Sequence, residues 1–240
     1  MSALHACIEG IGVLGPGLPD WPVAARVLEG ASRPTARLSR TTVFTSSGGD
    51  GQNCHEICEV LATPERQLSP TRFHNSVHNA PAGYWGIATG ATAAANSLCA
   101  YDASFGAGLL EALCQLAVEH TAVLLIAYDA SYPEPMRSVR PIPDAFGVAL
   151  LLAPGASCRS LAGLELTLTE APADRMADPA LERLRTSIPA ARSLPLLAQL
   201  ARGVPAAAAA AGPAPPEHPC AAPRAAAPRA ARRARRSGRR

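Results

Sequence analysis

The sequence predicts an α/β layered domain with a mostly buried sheet, and three observations carry that expectation. Residues 122–128 (AVLLIAY) and 146–153 (FGVALLLA) are unbroken apolar runs of strand length bounded by turn residues. Between and before them lie segments with apolar residues at helical spacing, such as Phe105, Leu109, Leu110, Leu113 and Leu116. Strands that are apolar on both faces and alternate with helices belong to sheets covered on two sides. Aromatics make up only 4% of the chain, so Ala, Val, Leu and Ile must fill the core.

In chain order, residues 7–14 (CIEGIGVL) read as a strand that turns in the Gly/Pro-rich 15–19, and 21–28 as one or two helical turns. Residues 33–40 are polar and loop-like. The β-branched stretch 41–46 (TTVFTS) reads as a strand ending at Gly48, Gly49 and Gly51. A helix is expected over 53–62, capped by Asn53 or Asp50 and turning Ile57 and Leu61 to one face. Residues 69–74 are expected to be extended or looped around Pro70. A second helix spans 80–87, with Pro81 in its first turn. The small-residue run 88–97 suits a tightly packed strand or loop. A helix over 102–118, strands over 122–128 and 146–153, and an alternating strand over 162–169 complete the domain.

Two regions of different material meet near residue 205. Ala, Pro and Arg supply 29 of the 35 positions in 206–240, a composition that buries too little apolar area to offset ordering entropy. This reads as a disordered tail on a domain of residues 1–205. The tail holds eight Arg and one Glu, whereas 1–205 hold 14 Arg and 18 acidic residues. The body is therefore mildly acidic and only the tail is basic. A nucleic-acid-binding arm is one reading of the tail, but no aromatic residue interleaves with its Arg to stack on bases, and a solvated tail or a reading-frame extension is the plainer one. All 22 basic residues are Arg, which excludes a catalytic, Schiff-base or P-loop Lys. Seven cysteines form an odd set, the opening residues lack a basic segment followed by a long apolar one, and no apolar run approaches a membrane span. These features predict a cytoplasmic protein with reduced thiols.

Three constellations could carry chemistry. Cys54-x3-Cys58 and, fifteen residues on, His74-x3-His78 approach a Cys2His2 zinc spacing. The cysteines fall within a helical stretch and His78 runs into Asn-Ala-Pro, so two small buried apolar cysteines and a polar His/Asn loop are expected instead, with no metal. The stretch 46–51 (SSGGDG) follows a strand and precedes a helix, as a phosphate cradle would. It matches neither glycine fingerprint and carries an Asp, so it reads as a turn. Cys99 lies ahead of the helix expected from residue 101 or 102, where a thiol can be activated for acyl chemistry. A small residue packed beneath a helix is the competing reading.

Residues 68–111 resemble the N-terminal half of the β-ketoacyl synthases, which have the thiolase fold. In this chain Asn79-Ala80-Pro81-Ala82-Gly83 and Ser97-Leu98-Cys99-Ala100 occupy the places of the family's Asn-and-small-residue run and its nucleophile elbow. The opening 8–12 (IEGIG) is similar to the family's first strand, and 143–152 (PDAFGVALLL) to the strand that closes its N-terminal half. Residues 46–51, 54–58 (CHEIC), 73–85 (FHNSVHNAPAGYW) and 127–135 (AYDASYPEP) further resemble the short ketosynthase-like proteins of aryl polyene clusters. The resemblance implies a thiolase-like layered fold. It also implies a non-condensing or weakly active, chain-length-factor-like subunit that pairs as a heterodimer with a complete β-ketoacyl synthase and works on chains carried by acyl carrier protein. No cofactor and no membrane are implied. The site would comprise Cys99 at the nucleophile position, with His74, His78, Asn79, Ser97 and Asp102 as substrate or interface residues. The chain departs from a working ketosynthase in its histidines. After Cys99 it offers only His120, in a helix, and His218, in the tail, neither within a resembling motif. Residues 31–40 are also short relative to the family. A stand-alone acyltransferase or thioesterase using Cys99, with His74 or His78 as base, is the alternative enzyme reading.

Overall fold

The structure, a computed structural model, describes residues 3–14, 40–158, 160–202 and 206–211. The expected helical turns at 21–28 and the loop at 33–39 lie outside the described residues. The rest builds one seven-stranded mixed sheet of order β3-β2-β4-β5-β1-β6-β7. Its strands are β1 (Leu4–Leu14), β2 (Thr41–Thr45), β3 (Ala95–Leu98), β4 (Val123–Asp129), β5 (Phe146–Ala153), β6 (Ala162–Thr169) and β7 (Ala206–Ala211). β3, β2 and β4 run parallel, whereas β4–β5, β5–β1 and β1–β6 are antiparallel.

The alternation of β4 and β5 explains where the core lies. Val123, Leu125 and Ala127, with Phe146, Val148, Leu150 and Leu152, turn to one face and are fully buried, while their sequence neighbours are half-buried on the other. Helix α4 (Ser104–Glu119) lays Phe105, Leu109, Ala112, Leu113 and Leu116 across the buried face. It approaches closely because residue 108 is Gly: a Cβ there would sit 2.6 Å from Thr45 Cγ2. The same face is completed by a segment the periodicity analysis did not resolve: α6 (Pro179–Ser187), a 3₁₀ turn (Pro189–Ser193) and α7 (Leu194–Ala201). Ile188, Ala190, Ala191, Leu194 and Leu197 join the core there.

The remaining helices are α1 (Gly51–Leu61), α2 (Pro70–Asn75), α3 (Ala80–Thr89) and the short α5 (Met136–Val139). Asp50 is the α1 cap, accepting the Asn53 amide at 2.9 Å. Residues 69–74 are expected to be extended or looped, but 70–75 are helical, because Pro70 sits at the first helical position, where its missing N–H costs nothing. Residues 88–97, expected to be tightly packed, are mostly exposed and lead into the edge strand β3. The alanines of β7, assigned from composition to the tail, extend the sheet beyond residue 205. Their backbone pairs parallel to β6 along one edge. Residues 212–240 lie outside the described residues. Among the described residues no helix is long and apolar enough to cross a membrane.

Candidate functional site at the carboxyl ends of β2, β3 and β4

Because β3, β2 and β4 are parallel neighbours, their carboxyl ends converge, and the loops leaving them bring Ser46–Ser47, Cys99 and Asp129 together. Asp129, 5% exposed, is the hub. Its Oδ1 accepts the Ser47 amide at 2.8 Å and the Ser47 hydroxyl at 2.6 Å, and its Oδ2 accepts the Ala190 amide at 2.7 Å. Burial pushes its carboxyl above the ordinary range, and the three hydrogen bonds offset part of that push. Burial likewise raises the Tyr128 hydroxyl against a lowering hydrogen bond with Ser46. Neither Asp129 nor Tyr128 was singled out from sequence. The only available signal was a charged residue closing an apolar strand.

Cys99 stands one residue past β3, and its Sγ–H donates to the Ser47 carbonyl at 3.2 Å. The carbonyl engages the thiol without serving as a base. A 3₁₀ turn (Tyr101–Ala103) follows, so α4 begins five residues after Cys99 rather than two or three. Tyr101 takes φ 52°, a left-handed conformation uncommon for a non-glycine residue. Ser104 closes the turn, accepting the Ala100 amide at 3.0 Å. Asp102 accepts Arg140 at 2.8 Å and Arg192 at 3.1 Å, and the Arg140 guanidinium lies 3.7 Å from the Tyr101 ring centroid. Arg140 is thus engaged within the molecule.

The other expected site residues separate. His78 Nε2 lies 3.5 Å from Ser46 Oγ. His74 is exposed on α2, and Asn79 is the exposed N-cap residue of α3, without a side-chain capping bond. Ser97 lies on β3 opposite Phe44, its hydroxyl buried with no partner among the described residues. Among the described residues neither His74 nor His78 hydrogen-bonds Cys99, so no general base is assembled on the thiol. The cysteines expected to be buried, Cys54 and Cys58, are exposed, because α1 lies on the outside of the sheet loops. Among the described residues no cluster of three or more His, Cys, Asp or Glu could hold a metal.

The 46–51 stretch is shaped by packing. A Cβ at Gly51 would lie 2.1 Å from Tyr132 Cδ1, and one at Gly48 1.9 Å from the Tyr132 hydroxyl. The glycines admit the buried Tyr132 ring. On the outer side of this loop an open pocket of ≈ 380 Å³ is lined by Asp50, Asn75, Val77, His78, Tyr84 and Tyr128, among others. A smaller hollow of ≈ 240 Å³ beside the β3 edge is lined by Ala82, Trp85, Gly86, Ala93 and Ala95, among others. Trp85 packs edge-on to Phe44, with ring centroids 6.4 Å apart, and its indole N–H is buried without an acceptor among the described residues.

Residues 24–209 match the family described as beta-ketoacyl synthase, N-terminal domain. Among solved structures the chain is similar to a ketosynthase (ApeO) in complex with its chain length factor (ApeC) from Xenorhabdus doucetiae. Identity is 26%, the match covers 64% of this chain and 81% of that one, and the TM-score is 0.53. It is also similar to PksG, an HMG-CoA synthase from Bacillus subtilus (14% identity, 63% of this chain and 41% of that one, TM-score 0.38). A third likeness is to 3-oxoacyl-(acyl carrier protein) synthase III, FabH, from Pseudomonas aeruginosa PAO1 (18% identity, 63% and 51%, TM-score 0.34). No curated protein matches the sequence.

Proposed function

The chain belongs to the beta-ketoacyl synthase N-terminal-domain family and has its thiolase-like α/β fold, and from that premise we propose that it is a chain-length-factor-like subunit. In this reading it pairs with a complete β-ketoacyl synthase and helps shape the channel for a chain carried by acyl carrier protein, as in aryl polyene assembly. Cys99 occupies the nucleophile position without condensing substrates on its own.

The observation that carries the reading is the surface around the site. Among the described residues β3 is the outermost strand on its side of the sheet, and a strand at a sheet edge is a template for another chain. Beside it Ile87 (80% exposed), Phe73, Val77, Tyr84 and Tyr101 present large apolar side chains to solvent, a concentration typical of protein–protein surfaces. The likeness to a ketosynthase bound to its chain length factor supports a ketosynthase as that partner. The thiol's bond to a backbone carbonyl, which cannot act as its base, is compatible with a non-condensing role.

Ile87→Asp tests the surface directly. The side chain is exposed, so the isolated chain should keep its Tm within about 1–2 °C, because exposed substitutions stay within roughly ±0.5 kcal/mol. Co-purification with a complete ketosynthase should fall at least about tenfold, since a charge buried at an interface costs more than about 1.4 kcal/mol. Undiminished co-purification would remove this face from the interface.

A further inference from the structure

The turn after Cys99 is gripped from two sides by one late segment. On one side, Ala190 N–H of the 189–193 turn donates to Asp129, Asp129 holds both the amide and the hydroxyl of Ser47, and the Ser47 carbonyl accepts the Cys99 thiol. On the other side, two residues along the same turn, Arg192 pairs with Asp102, the residue that Arg140 also holds while lying over Tyr101. The backbone between these grips contains Tyr101 at φ 52°, a conformation that persists only where neighbours impose it. The 189–193 turn is itself seated in the core: Pro189, Ala190, Ala191 and Ser193 are all buried, with Arg192 the exception.

We propose that the Pro189–Ser193 turn is a brace that positions the Cys99 turn, through Asp129 and Ser47 on the thiol side and through Arg192 and Asp102 on the far side. Arg192, Asp102, Arg140 and Asp129 are positioning residues. They touch no reacting atom, and they set how tightly the thiol is held to the Ser47 carbonyl. This goes beyond the subunit role and holds whether or not the chain pairs with a ketosynthase. The two grips differ in kind. The Asp129 grip is buried and indifferent to salt, whereas the Arg192–Asp102 pair, 38% and 42% exposed at the side chains, is weakened by ionic screening.

The test is the rate at which neutral iodoacetamide alkylates Cys99 in the full chain, resolved by peptide mass spectrometry at low salt and at high salt, with the exposed Cys54 and Cys58 as references in the same molecule. In the unaltered chain the Cys99 rate rises with salt while the references do not. Arg192→Gln raises the low-salt Cys99 rate about two- to fivefold, the range an exposed ion pair supports, and reduces the salt response to what the remaining Arg140–Asp102 pair carries. Arg192→Lys restores both. An Arg192→Gln chain with an unchanged Cys99 rate and salt response would overturn the proposal. So would equal acceleration at Cys54, Cys58 and Cys99, which marks general loosening.

Discussion

Asp129 shows how much one residue organises here. It closes β4, and its three accepted hydrogen bonds tie the β2 loop and the 189–193 turn to the sheet. Its carboxyl is raised by burial above the ordinary 3.8, so the folded chain binds that proton more readily than the unfolded one. The linked contribution to stability therefore declines as pH rises from the ordinary value through the raised one. Asp129→Asn removes this ionisation, so its stability–pH curve across that interval should be flatter than that of the unaltered chain. It also turns an NH₂ toward a backbone donor, so stability at neutral pH should fall by about 1–3 kcal/mol. Denaturant titrations from pH 4 to 7 would show both effects, and superimposable curves would mean the carboxylate is not the hub. The sequence made Cys99, His78 and Asp102 visible, because reactive residue types beside glycines and a helix start are conspicuous. Asp129 and Arg192 were not visible, because their importance comes from contacts across 61 and 90 positions of chain.

At the scale of elements, the long apolar strands and α4 were legible because their burial pattern is periodic and strong. The short helices were not. α2, α5 and α7 are eight residues or fewer, too short for a period to register and stabilised by packing rather than propensity. β7 lies in a stretch whose alanine-rich composition carries no strand signal, so its pairing with β6 was not legible. α6 does have a readable start: the Asp178 side chain accepts the Ala180 and Leu181 amides at 2.7 and 3.0 Å, with Pro179 at the first helical position. Asp178→Ala should cost about 1 kcal/mol, seen as a lower denaturation midpoint with an unchanged slope. No loss of stability would mean that the cap is not what anchors this helix ahead of the 189–193 turn.

At the scale of the molecule, one face of the sheet is sealed by α4, the 189–193 turn and α7, while the β3 edge and the α2–α3 surface remain open and apolar. Among the described residues this asymmetry leaves an exposed apolar surface of the kind found at protein–protein contacts. The central claim is therefore tested most directly by co-expressing the chain with a complete β-ketoacyl synthase and following assembly by size-exclusion chromatography with an acyl-carrier loading assay. A chain-length-factor-like subunit forms a stable heterodimer equally well when Cys99 is replaced by Ala, and no acyl group is retained on this chain. A chain that elutes alone and takes up acyl groups through Cys99 would contradict it and make the protein an acyltransferase in its own right.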